Sequence, residues 1–86
     1  MVAEENQTRR YLLGELDETE EIRLEDAAFA DAETLAFVQS IENDLIDEYV
    51  RGELSESEVV KFERRFLTSE DRRRKIEYAR TFLELE

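Results

Sequence analysis

The stretch Tyr49-Val50-Arg51-Gly52-Glu53-Leu54-Ser55-Glu56-Ser57-Glu58 decides the fold, because its pattern has already occurred once, as Tyr11-Leu12-Leu13-Gly14-Glu15-Leu16-Asp17-Glu18-Thr19-Glu20. The shift that carries Tyr11 onto Tyr49 extends well beyond the phrase. Applied onward, it pairs Glu25 with Glu63 and Leu45 with Leu83, and sets Ile22 against Val60, Leu24 against Phe62, Phe29 against Leu67 and Val38 against Ile76. A period of this size marks a repeated supersecondary unit that cannot bury its apolar face alone. The chain therefore reads as all-α, a small bundle of about five helices within one helical domain of residues 1–86, built from a first repeat at 11–46 and a second at 49–84.

Each copy of the phrase carries its own local physics. Gly14 and Gly52 stand where a helix stops, since glycine takes the left-handed conformation just past a helix end without steric cost. Leu16 and Leu54 follow as apolar anchors. Ser55 precedes Glu58 by three residues and Asp17 precedes Glu20 by three, the spacing in which an N-cap side chain and the third helical residue satisfy each other's backbone donors. Tyr11 and Tyr49, just ahead of the glycines, are expected to pack there with their hydroxyls at the edge.

Working outward, residues 1–4 are expected to fray, followed by a short helix near 5–13. A second helix runs from Asp17 to about Ala30 with Ile22, Leu24, Ala28 and Phe29 as its apolar content. Asp31 caps a third and longest helix, which reaches about Arg51 and shows one stripe of Leu35, Val38, Ile41, Leu45 and Tyr49 at steps of three and four. A fourth spans about 55–67 around Val59, Phe62 and Phe66. The fifth, about 70–85, is expected to bury Ile76, Ala79, Phe82 and Leu83, with Tyr78 at the margin. Arg72, Arg73, Arg74 and Lys75 crowd its first turns, where the helix dipole favours cations least; pairing with the acidic half of the chain is the expected compensation.

Composition limits the chemistry. The 86 residues contain no Cys, no His and no Pro, which removes thiolate and imidazole catalysis, disulfides and the usual zinc ligands. No apolar run is long enough to cross a bilayer, so a cytoplasmic location is expected. The net charge is −12, and residues 1–50 hold 15 acids against 3 bases, whereas residues 51–86 hold 9 of each. Such a balance disfavours phosphate-backbone binding and suits either a basic protein partner or simple solubility. Glu18, Glu21, Asp44, Asp47 and Glu48 are the candidate partner-binding residues. No catalytic, cofactor or metal site is expected; the carboxylates Asp44, Asp47 and Glu48 at helical spacing read as surface charge rather than a cation site.

The stretch from Tyr49 to Glu58, with Phe62-Glu63-Arg64-Arg65-Phe66-Leu67 after it, resembles the zinc-finger-like domain of bacterial anti-sigma factors. In that family a Tyr-Leu-Asp-Gly-Glu-Leu-Ser phrase leads to a His and two Cys that help hold zinc. Those positions fall here on Arg65, Ser69 and Arg72, and in the first copy on Ala27, Asp31 and Thr34, so zinc is not carried over. The stretches 41–54, 66–69 and 72–80 look closest to a cysteine-free branch at the N-termini of bacterial proteins that often continue into a membrane span. The resemblance implies a non-enzymatic regulator of transcription or signalling that binds a protein partner such as a sigma factor. The other expectation is a structural or adaptor domain that homodimerises through Leu12 or Leu13 and the open face of the short first helix, or the cytoplasmic N-terminal part of a membrane-anchored protein.

Overall fold

The computed structural model describes residues 4–86, and among them every regular element is helical. The order is α1 (Glu5–Leu12), α2 (Glu18–Ala30), α3 (Ala32–Val50), α4 (Glu56–Phe66) and α5 (Glu70–Leu85). Five helices with these bounds match the all-α expectation. Of the segment expected to fray, residues 1–3 lie outside the described residues, and Glu4 departs from the expectation: its carboxylate accepts from the Asn6 and Gln7 amides at 3.0 and 3.2 Å and caps α1.

The two glycine turns are built alike. Gly14 N–H donates to the Tyr11 carbonyl at 3.0 Å and Glu15 N–H to that of Arg10 at 2.8 Å; Gly52 donates to Tyr49 at 3.1 Å and Glu53 to Glu48 at 2.9 Å. This is the paired closure that satisfies the last carbonyls of a helix. It requires positive φ at the glycine, here 75° and 74°.

Caps start the helices that follow. Asp17 accepts from Glu20 N–H at 2.8 Å. Ser55 Oγ accepts from Glu58 N–H at 3.2 Å while Glu58 Oε1 accepts from Ser55 N–H at 3.0 Å, completing the reciprocal box. Asp31 uses one oxygen for Glu33 N–H at 3.1 Å and the other for the buried Thr34 hydroxyl at 2.8 Å. Ser69 accepts from Arg72 N–H at 3.3 Å. Each such cap stabilises its helix by about 1 kcal/mol.

The chain divides into two compact units, with the boundary between Asn43 and Asp44, inside α3. The first holds α1, α2 and the opening turns of α3, and its buried apolar residues are Leu12, Leu13, Leu16, Leu24 and Ile41, so Leu12 and Leu13 belong to the core and do not form the dimerising face expected of them. The second holds the closing turns of α3 with α4 and α5, and buries Leu45, Ile46, Leu54, Phe62, Phe66 and Ile76.

Several apolar residues expected inside lie outside. Phe29 is 95% exposed, and Ile22 is exposed with it. At about 100° per residue these two share a face of α2 turned roughly 140–160° from Leu24, the residue the helix buries. Leu35, at the start of the α3 stripe, is also exposed, and the first fully buried member of that stripe is Ile41. In α5 the inward line is Ile76, Ala79 and Leu83, whereas Phe82 points about 120° away from Ile76 and is 68% exposed.

Candidate functional site: an apolar groove on the first unit

The aromatic core of the second unit sets the standard against which the first is read. Tyr49 at the end of α3 stacks on Phe62 of α4 with ring centroids 4.3 Å apart, and Phe62 stacks on Phe66 at 4.1 Å. The Arg72 guanidinium lies 4.4 Å from the centre of the Phe66 ring and closes the column. Phe62 and Phe66 are fully buried. The Tyr49 hydroxyl donates to Glu63 Oε2 at 2.7 Å, and this bond to a carboxylate is the main reason its phenol titrates above the ordinary range, with burial adding to it.

The first unit repeats the polar tie without the aromatic column. Tyr11 donates to Glu25 Oε2 at 3.0 Å, and each tie spans 14 residues. In the register that sets Tyr11 against Tyr49, however, Leu24 stands in the place of Phe62 and Ala28 in the place of Phe66. Where the second unit has stacked rings the first has an open groove of about 460 Å³, walled by Tyr11, Leu24, Ala28, Phe29, Leu35 and Val38, with the Glu25 carboxylate at its edge. Its lining is apolar apart from the Glu25 carboxylate and the Tyr11 hydroxyl.

Charge is concentrated on the same unit. Residues 1–43 carry 12 acids and 3 bases, a net −9, whereas residues 44–86 carry 12 acids and 9 bases, a net −3. The groove thus sits in the more acidic field, which favours an approaching cationic group.

The residues singled out from the sequence fall into two sets. Glu18 is exposed and Glu21 half-buried in the first turns of α2. Asp44 and Asp47 are exposed and Glu48 is half-buried on one face of α3, beyond the unit boundary. Asp47 is engaged by Arg51, whose Nε lies 3.1 Å away and which also reaches Glu86 at 3.1 Å. None of these five lines the groove; the acid that does is Glu25. Ala28, Phe29 and Leu35 escape the sequence reading because apolar residues at helical spacing read as core, and Glu25 because it reads as one surface acid among many. The signal that finds them is the alignment of the two glycine phrases, in which Ala28 corresponds to Phe66.

Three residues of the basic cluster of α5 have partners close to them in sequence. Arg72 covers Phe66 and donates to the Arg65 carbonyl at 3.5 Å, Arg73 donates to the Leu67 carbonyl at 3.2 Å, and Arg74 pairs with Glu70 at 2.8 Å. Two of these cations serve the carbonyl end of α4, where positive charge is favoured. Among the described residues no three His, Cys, Asp or Glu side chains are grouped to hold a metal ion, and no helix is long and apolar enough to cross a membrane.

No family model, no curated protein and no solved structure matches the chain.

Proposed function

We propose that the chain is a non-catalytic protein–protein interaction module, an anti-sigma-factor-like regulator of bacterial transcription or signalling that acts in the cytoplasm and grips a basic partner surface. The observation that carries this reading is the coincidence, on one unit, of a net charge of −9 with an open apolar groove. Apolar contact supplies affinity and the acidic field speeds and orients the encounter. The groups with shifted titration support a non-enzymatic reading, since Asp31 is lowered by its cap bonds to Thr34 and Glu33, Tyr49 is raised by its bond to Glu63, and Arg51 is raised by Asp47. Each shift has a structural bond as its largest cause. Where the resembling family has zinc ligands, Ser69 caps the start of α5 and Asp31 caps the start of α3, so these positions serve helix capping here.

The second reading, a homodimerising structural or adaptor domain, is favoured by one observation. Tyr78, Phe82 and Leu85 form an exposed apolar face on α5, each at least two-thirds exposed. Size-exclusion chromatography with light scattering, on the chain alone and mixed with the sigma factors of its host, separates the two. A monomer that co-elutes with a sigma factor, and loses it when Glu18 and Glu21 or Asp44 and Asp47 are changed to Lys, supports the regulator. A dimer that ignores every sigma factor overturns it in favour of self-assembly.

A further inference from the structure

We infer that the groove of the first unit is a receptor for one aromatic side chain, presented by a basic amphipathic helix of a protein partner. This inference rests on the interaction reading above and deepens it by naming the groove's occupant.

The second unit displays what this geometry holds when it is full. There the wall residue is Phe66, its ring stacks on Phe62, and a guanidinium caps it at 4.4 Å. In the first unit the matching wall position is Ala28 and the matching neighbour is Leu24. The Tyr11–Glu25 tie still holds the mouth in the form that Tyr49–Glu63 holds in the second unit. What is missing is a ring, and the groove of about 460 Å³ has room for one entering from outside. An aromatic ring entering over Leu24 and Ala28 meets the kind of apolar pocket in which interface anchors contribute most.

The charge of the partner follows from the surroundings. A unit of net −9 with Glu25 at the groove's edge repels an acidic ligand and attracts Arg or Lys beside the anchor. A second copy of this chain, itself at −12, brings like charge to like charge. A helix that lays an apolar stripe in the groove and its cations toward the rim fits the observed lining, Leu35 and Phe29 forming the lips. Phe29 is almost wholly exposed in the free chain, so docking removes its ring from water.

The chain contains no Trp, which provides the readout. A synthetic amphipathic helical peptide with Lys and Arg on its polar face and one Trp on its apolar face is titrated with the intact chain while indole fluorescence is followed. A blue shift that saturates is expected, with affinity falling at least about tenfold when the Trp is replaced by Ala. Ala28→Phe, which fills the groove from its own wall as Phe66 does in the second unit, is expected to lower affinity by a similar factor while circular dichroism and thermal unfolding stay native-like. Leu35→Lys, at an exposed lip where folding is not at stake, is expected to weaken the peptide as well. The inference is overturned if no blue shift occurs, if Trp and Ala peptides bind alike, or if neither substitution changes affinity.

Failure here separates from failure of the regulator reading. A host sigma factor that binds wild type and Ala28→Phe equally removes the groove and leaves the regulator. A Trp peptide that docks in an Ala28-dependent way, with no sigma factor bound, leaves the groove and removes the sigma factor as partner.

Discussion

At the scale of single residues, the part-buried Tyr49–Glu63 and Asp31–Thr34 bonds involve titratable groups, so their strength depends on protonation. Tyr49 is the clearest case. Its bond to Glu63, its burial and the nearby Glu63 charge all favour the neutral phenol, against a weaker opposite pull from Arg80. A folded-state pKa above the ordinary value means that the stabilisation is fully present below about pH 10 and is lost as pH rises through the folded value. Tyr49→Phe keeps the ring stack on Phe62 and removes only the hydroxyl. It is expected to cost about 1 kcal/mol at neutral pH. That difference should shrink on the alkaline side, as measured by denaturant unfolding of the two proteins across pH. Equal stabilities at neutral pH would show that the hydroxyl bond contributes nothing. Asp31 works in the opposite sense, because its Thr34 and backbone bonds lower its pKa, so its contribution is lost as pH falls through that lowered value.

At the scale of elements, α2 and α4 show how two helices of similar local grammar differ in what they bury. Both start at a cap followed three residues on by Glu, and both follow a glycine turn. The fourth helix then buries two phenylalanines, while the second buries Leu24 and leaves Ala28 beside a groove. Phe66→Ala removes a fully buried ring that stacks on Phe62 and supports Arg72. The expected loss is about 3–5 kcal/mol, read from the denaturation midpoint at unchanged slope. A loss under about 1 kcal/mol would mean that neighbours collapse into the space. The helices themselves were legible in the sequence because their punctuation is local: glycine with positive φ, then Asp or Ser with its Glu. Which face of each helix goes inside was less legible. Phe82 and Phe29 are as apolar as Phe62 and Phe66, and only the direction of neighbouring helices separates buried from exposed.

At the scale of the whole molecule, charge is the dominant long-range term. With −12 on 86 residues and most of the excess on residues 1–43, the folded state carries self-repulsion that salt relieves. Raising ionic strength from about 0.01 M to about 0.15 M shortens the screening length from about 30 Å to about 8 Å. The thermal midpoint is expected to rise, by about 4–8 °C for each kcal/mol of repulsion removed in a chain of this size. A fall would show that the ion pairs of Arg51 with Asp47 and Glu86, and of Arg74 with Glu70, outweigh the repulsion.

The sequence by itself determined the number, order and ends of the helices and the charge imbalance, because caps, glycine stops and side-chain charge act over a few residues or are simply counted. It also held, in the register between its two glycine phrases, the substitution of Ala28 for the counterpart of Phe66. Only the tertiary structure decided that this difference leaves an open groove, that Arg72 and Arg73 reach carbonyls at the end of α4, and that Phe29 and Phe82 face water. Those outcomes depend on which side chains meet in space, and packing between helices is set by shape and direction that a one-dimensional pattern of apolar residues does not carry.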